Sequence, residues 1–312
     1  VYRLSARKTV KRKRSKSPLG IGSGIFGISF EKEGGKAYMQ YSTFAAIDIG
    51  SYDVILEIFE ISKKQGIRSV DKICHRMELG KDTYTLGKIR PEMEEELCRV
   101  LADFVRIMEG YRVDDYRATA SSAISEASNS LYVLGKIHQL TGFSVTVLSN
   151  SEQRFLSYKA LAAMEDNFNK IIEKGTAILD LDGGSFQISL FDKDALVTTQ
   201  NIRMGSLRIR ERLAGIQSET EHYEEMVEEL IWNEVSSFKK MYLKDRKIEN
   251  IMLIGDVFTD SVYQNIEEKT TKIISRENFN TWYEKIIRQS PMELAVKLGI
   301  PLENASLMYR LL

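Results

Sequence analysis
The chain has 312 residues, with 44 lysines and arginines against 44 aspartates and glutamates, 43% hydrophobic residues, 4 prolines and 2 cysteines. That length holds one large domain or two medium ones, and 28% charged residues with a mean hydropathy of −0.25 argue against global disorder and against a bundle of membrane spans. The charge is unevenly placed: residues 1–38 carry 10 basic and 2 acidic residues, leaving 34 and 42 for residues 39–312, and an acidic body argues against DNA as a partner.

Arg3 to Lys16 contains eight basic residues, and no acid appears before Glu31. Such a run cannot bury a core and is expected to be solvated. The apolar stretch after it, Gly20 to Phe30, is broken by glycine, lacks a small-residue cleavage pattern and is too short to span a bilayer. Gly22, Gly24 and Gly27 satisfy G-x-G-x-x-G, but the dinucleotide fingerprint needs a preceding strand that a polybasic run does not supply. Met39 opens a stretch that reads like a natural start, so residues 1–38 are taken as a disordered basic leader or a mis-assigned start.

The first patterned element is a hairpin. Ala45-Ala46-Ile47-Asp48-Ile49 ends in a Gly50-Ser51 turn and runs into Val54-Ile55-Leu56-Glu57-Ile58-Phe59. Pro91 with Glu92, Glu94, Glu95 and Glu96 marks a helix start, and Leu97, Val100, Leu101, Phe104, Val105 and Met108 supply its apolar stripe. Arg117–Ser121 leads into one helix through Ile124, Leu131, Val133, Leu134 and Ile137, closed near Gly142. A strand over 143–148 then meets Ser149, a good N-cap for a helix through Phe155, Tyr158 and Leu161. Next, Ala177-Ile178-Leu179-Asp180-Leu181 ends in Asp182-Gly183-Gly184-Ser185 and runs into Ile188-Ser189-Leu190-Phe191, a second hairpin like the first. A long helix is expected over 219–244, with Tyr223, Met226, Leu230, Ile231, Val235 and Phe238 facing the core. His222, beside Glu224 and Glu225, reads as solvated surface. Cys74 and Cys98 form no C-x-x-C and have no ligand-rich neighbours, which argues for a reducing cytoplasm.

Asp48 and Asp180 lie 132 residues apart, too far for a solenoid repeat and suited to a domain duplicated into two facing lobes. Glycines let backbone N–H groups approach phosphate oxygens, and an Asp at a strand end can hold Mg²⁺ against a phosphate. Two such turns facing each other could clamp a polyphosphate chain. The plainer alternative is two ordinary hairpins that use glycine for positive φ.

The motifs resemble those of the exopolyphosphatase / guanosine pentaphosphate phosphatase (Ppx/GppA) family, from about Phe44 onward. The family's A-x-D-x-G-S-N-S is similar to Ala46–Asp53, its A-T-S-A-x-R-E-A to Ala120–Ala127, and its I-S-G-E-E-E-A to Leu148–Arg154. Its D-x-G-G-G-S-T-E is similar to Asp180–Gln187, and its G-x-x-R-L to Gly205–Ile209. The resemblance implies an α/β, two-lobed, duplicated actin-like (ribonuclease H-like) fold with mixed sheets and an interlobe cleft, with lobes at 39–165 and 166–312. It also implies Mg²⁺-assisted attack of water on a terminal phosphoryl group. Asp48, Asp180 and Asp182 are then the metal candidates. Gly50, Ser51, Gly183, Gly184, Ser185, Gly205 and Arg208 are the phosphate-binding candidates, and Glu152, Gln153 and Gln187 occupy the catalytic segment.

Several positions depart from the family pattern. The base position is Gln153, the loop Glu is Gln187, the phosphate-holding Arg is Ser125, the loop's first Gly is Asp182 and the first turn's Asn is Tyr52. The later G-G-T turn is replaced by Gly255-Asp256-Val257. A neutral amide cannot take a proton near pH 7, and a lost Arg removes a charge-assisted phosphate contact. Glu152 could serve as base if the helix start shifts by one residue. Asp182 could add a metal-linked carboxylate or simply face solvent.

Two functions stay open: a hydrolase of polyphosphate or pppGpp with degenerate catalytic positions, or a silent relative that binds polyphosphate, guanosine penta- or tetraphosphate, or a nucleotide. A sugar kinase is weaker, because nothing after Ile254 gives an adenosine-binding glycine turn. A bacterial-type, cytoplasmic protein without a membrane segment is expected, with room for a homodimer. The helix pattern at Ala305–Met308 reads as unfinished, which leaves room for a further C-terminal segment.

Overall fold
The computed structural model describes residues 41–164, 167–217, 222–244, 246–255 and 275–298, together with 302, 305 and 307. The leader, Asp256 and Val257 lie outside the described residues.

Alternating apolar residues make β1 (Tyr41–Ile49) a strand with Ala45, Ile47 and Ile49 on its buried face. It pairs antiparallel with β2 (Asp53–Ser62), and β2 pairs with β3 (Gly66–Arg76). β4 (Asp115–Ala120) joins β1 in parallel, and β5 (Val145–Val147) joins β4, giving the order β3-β2-β1-β4-β5. The second sheet repeats that plan. β6 (Thr176–Leu181) pairs antiparallel with β7 (Phe186–Asp192) and parallel with β9 (Asn250–Gly255), and β8 (Ala195–Ile202) lies outside β7, giving β8-β7-β6-β9. The shared order of β3-β2-β1-β4 and β8-β7-β6-β9, with the same pairing directions, is the structural form of the duplication read from the hairpins.

Helices cover the sheets. α1 (Leu79–Leu86) leaves the end of β3, and α2 (Pro91–Gly110), started by its proline at the first helical position, lays Leu97, Leu101 and Phe104 on the first core. The single helix expected over 122–141 is broken into α3 (Ser122–Ser125) and α4 (Ser130–Thr141). Asn129 causes the break by bonding both backbone groups of Ile89, accepting from its N–H at 3.0 Å and donating to its carbonyl at 2.8 Å.

Leu148 N–H still bonds Ala120 O in the first lobe, at 3.0 Å. α5 (Asn150–Met164), which follows at once, packs on the second sheet instead. Its Leu161 and Tyr158 meet Ile178 and Phe191 together with Phe168 and Ile172 around α6 (Phe168–Ile172). α7 (Ser206–Gln217), α8 (Tyr223–Tyr242), α9 (Arg276–Ile286) and α10 (Pro291–Leu298) complete the second lobe. On α8, Tyr223 and Phe238 are buried as expected, Leu230, Ile231 and Val235 pack at the core's margin, and the deepest residue is Val227.

Candidate functional site: two turns across a closed cleft
The first turn is shaped by its own backbone. Gly50 N–H donates to Asp53 O at 3.0 Å, and a side chain on Gly50 would press on that same carbonyl at 2.8 Å. The Ser51 carbonyl accepts from Gly80 N–H at 2.8 Å, which fixes the start of α1 beside the turn. The Ser51 hydroxyl meets Tyr84 Oη at 2.6 Å and Ser122 Oγ at 3.3 Å, and Tyr84 Oη meets Ser122 Oγ at 2.8 Å. Asp48, next to last in β1, lies beside Thr119, whose hydroxyl donates to Asp48 Oδ1 at 3.4 Å.

The second turn faces the first across the lobes. Asp182 N–H closes it onto Ser185 O at 3.0 Å, and Gly183 O accepts from Arg208 N–H at 3.1 Å. Gly205 packs so closely behind it that a Cβ would collide with the Asp182 and Gly183 carbonyl oxygens, so only glycine fits there. A Cβ on Gly184 would collide with Tyr84 Oη and Ser122 Oγ, so the two lobes are in contact at this point.

Arg208 serves the same junction. Its Nε donates to Gly184 O at 2.8 Å, its Nη2 donates to both Glu126 oxygens at 3.0 and 3.1 Å, and its guanidinium lies 3.8 Å from the Tyr84 ring centroid. A second pair, Arg210 with Glu78, crosses the lobes nearby at 3.0 and 2.5 Å. Burial pushes the Tyr84 phenol above its ordinary value, against the smaller opposing pull of Ser122, Ser51 and Arg208.

α5 supplies the catalytic segment. Glu152 accepts from Ser149 N–H at 2.9 Å and Ser149 Oγ at 2.8 Å, while Glu152 N–H returns to Ser149 Oγ at 3.3 Å. This is a capping box, and those Ser149 bonds, backbone first, hold the Glu152 carboxyl below the usual carboxylate range. The residue that reaches the second turn is Gln153, whose Nε2 donates to Asp182 Oδ2 at 3.0 Å. Ser157 Oγ donates to Asp180 Oδ2 at 3.3 Å. Gln187 sits opposite Asp180 in the β6–β7 register, buried, with its Oε1 atom unpartnered among the described residues. Ser125 is exposed at the end of α3.

The two lobes thus bring Ser51, Gly183, Gly184 and Arg208 into one junction, and Gln153, Asp180, Asp182 and Gln187 together on the second lobe. Glu152 stays on its own helix start. Tyr84, Ser122 and Glu126 were not singled out from sequence: the latter two lie inside the Ala120–Ala127 motif, whereas Tyr84 carried no motif. Among the described residues, no three His, Cys, Asp or Glu side chains gather closely enough to hold a metal ion. Among them, too, no helix is long and apolar enough to cross a membrane.

Two facing lobes with one repeated strand order, each offering a Gly/Ser turn to the space between them, define an actin-like fold. Within it, the profile of the Ppx/GppA phosphatase family matches residues 57–298, and the chain belongs to that family, whose work is of phosphatase type. The bifunctional 3-dehydroquinate synthase/phosphatase of Fusobacterium nucleatum is 22% identical over 238 residues, 72% of this chain and 34% of that protein. Exopolyphosphatase 1 of Mycobacterium leprae is 25% identical over 144 residues, 46% of this chain and 41% of that protein. The chain therefore spans less than half the length of either relative. The crystal structure of the Aquifex aeolicus Ppx/GppA family member superposes with a TM-score of 0.65 at 19% identity, covering 87% of each chain, which supports the fold.

Proposed function
We propose that this chain keeps the family cleft as a binding site for a phosphate-rich ligand, polyphosphate or guanosine penta- or tetraphosphate, and that its hydrolytic step is silenced. The observation that carries this is the Gln153–Asp182 hydrogen bond of 3.0 Å. The position aligned with the family's base is an amide, and its N–H₂ is turned toward a carboxylate that replaces a glycine. An amide cannot accept the proton of an attacking water near neutral pH, and losing a general base typically costs about 10²–10⁴-fold. The two departures from the family pattern complement each other: a Glu at 153 would put two carboxylates in contact, whereas Gln donates.

Mg²⁺, which the family implies, would neutralise charge on the phosphoryl oxygens. Protein ligands for it come down to one or two carboxylates among Asp48, Asp180 and Asp182, with the ligand's own phosphates completing the shell, since no three-residue cage forms among the described residues. Gly183, Gly184 and Ser185 offer a turn to the phosphates, with Ser51 opposite.

A second reading has one observation in its favour. Gln153 fixes one oxygen of Asp182 beside Gly183, and a carboxylate so placed could itself serve as the base. The test is phosphate release from long-chain polyphosphate and from pppGpp, with and without Mg²⁺, alongside equilibrium dialysis of the same ligands. The expected result is binding without release in the wild type. A variant combining Gln153→Glu, Asp182→Gly, Gln187→Glu and Ser125→Arg should then gain release by about 10²-fold or more. Mg²⁺-dependent release by the wild type that Asp182→Asn abolishes would replace the silent reading with the second one.

A further inference from the structure
The space between the two turns is filled by a side chain of the protein itself. Tyr84 projects from α1 so that its hydroxyl lies 2.6 Å from Ser51 Oγ and 2.8 Å from Ser122 Oγ and abuts Gly184, while its ring lies 3.8 Å below the Arg208 guanidinium. Two hydroxyl groups, a glycine with no Cβ and an arginine are what a phosphoryl oxygen would need at this point. Both hydroxyl groups and the glycine are spent on a phenol, while Arg208 stacks on its ring and gives its N–H groups to Gly184 O and to Glu126. The glycine is decisive, because any side chain at 184 would expel the Tyr84 hydroxyl.

We propose that Tyr84 is an internal occupant of the anion site, held there in the ligand-free protein and displaced when a chain of two or more phosphoryl groups enters. The proposal rests on the reading that the cleft binds such a ligand. A polyanion that engages the second turn and Arg208 outcompetes the phenol because the guanidinium interacts more strongly with a phosphate than with an aromatic face. The neutral phenol gives the closed state a definite occupant, so apparent affinity is reduced by the fraction of molecules in which Tyr84 is seated. Arg208 keeps its bond to Gly184 O in either state, and a ligand that reaches its other N–H groups takes the place of the Glu126 carboxylate on Nη2 as well as of the ring on its face. Tyr84 acts through occupancy: it decides which ligands enter, and a single orthophosphate brings too few contacts to both turns to displace it.

The experiment measures binding of inorganic tripolyphosphate by calorimetry to the wild type, Tyr84→Ala and Tyr84→Phe, with melting temperatures as a check on folding. Tyr84→Ala is expected to bind at least about tenfold more tightly than the wild type. Tyr84→Phe, which keeps the ring under Arg208 but loses both hydroxyl bonds, falls between them and serves if the alanine variant fails to fold. In parallel, nitration of the wild type by tetranitromethane, mapped by mass spectrometry, should show Tyr84 protected in the free protein and reactive with saturating tripolyphosphate. A residue that only braces the fold would not become reactive. Wild-type binding with no gain in a folded Tyr84 variant overturns the plug and leaves the binding function standing. Binding by none of the three proteins overturns both. Nitration of Tyr84 that is equal with and without bound ligand also overturns the plug.

Discussion
Glu78 carries an unusual load for one residue. Its backbone is left-handed, at φ 50°, a conformation that costs a non-glycine residue of order 1 kcal/mol or more. Its carboxylate meanwhile holds Arg210 of the other lobe. Burial pushes that carboxyl up, but the hydrogen bonds and charge of Arg210 outweigh it, so it sits below its ordinary 4.5. A lowered folded value means the stabilisation is fully present above 4.5 and is lost as pH falls through the folded value. Glu78→Gln should therefore cost about 1–2 kcal/mol near pH 7, discounted for partial exposure, and progressively less as pH falls below 4.5 through the lowered folded value. Thermal unfolding of both proteins across that range checks it, and an equal gap at the two ends would show that the ion pair is not the source.

At the scale of an element, α5 shows how a helix start can decide a residue's role. Ser149 and Glu152 cap each other, which directs Glu152 along its own helix and leaves Gln153 to face the turn. Ser149→Ala should cost about 1 kcal/mol in denaturant unfolding, from the loss of one cap. The capped start was legible in sequence, because Ser followed three residues later by Glu is a local signal. The paired hairpins were legible for the same reason, through alternating apolar residues ending in Asp and glycine. β3 was missed: it is a mostly exposed edge whose Ile67 and Ile73 have meaning only beside Ile61 and Leu56 of β2. The break between α3 and α4 depends on Asn129 reaching Ile89, a contact across 40 residues that helical spacing does not register. The site divides in the same way. Alignment to the family marked Gln153 and Asp182 as separate departures, and only the fold shows that they touch.

At the scale of the molecule, the ties between the lobes include Arg208–Glu126, Arg210–Glu78 and the Tyr84 contact with Gly184, with Arg203 4.0 Å from the same Glu126 carboxylate. Arg208 and Arg210 stand two residues apart on α7, about 200° apart around the helix, yet both reach the first lobe at the same junction, so their effects should be coupled. Glu78→Ala with Glu126→Ala should deviate from the sum of the single variants by about 0.5–3 kcal/mol in unfolding free energy. The radius of gyration from solution scattering should also increase in the double variant, and strict additivity with unchanged scattering would count against a shared brace.

α5 follows the first lobe in the chain but packs on the second, with the crossing placed between Leu148, still bonded to Ala120, and Ser149. Gln153, Ser157, Asp180 and Asp182 therefore travel as one body, whatever the lobes do. Motion between the lobes changes their distance from Ser51 and Tyr84 but not their arrangement among themselves. Loosening the hinge thus acts as traffic control. It alters how fast a ligand arrives and leaves, and it leaves unchanged whatever chemistry the second lobe can or cannot perform on it.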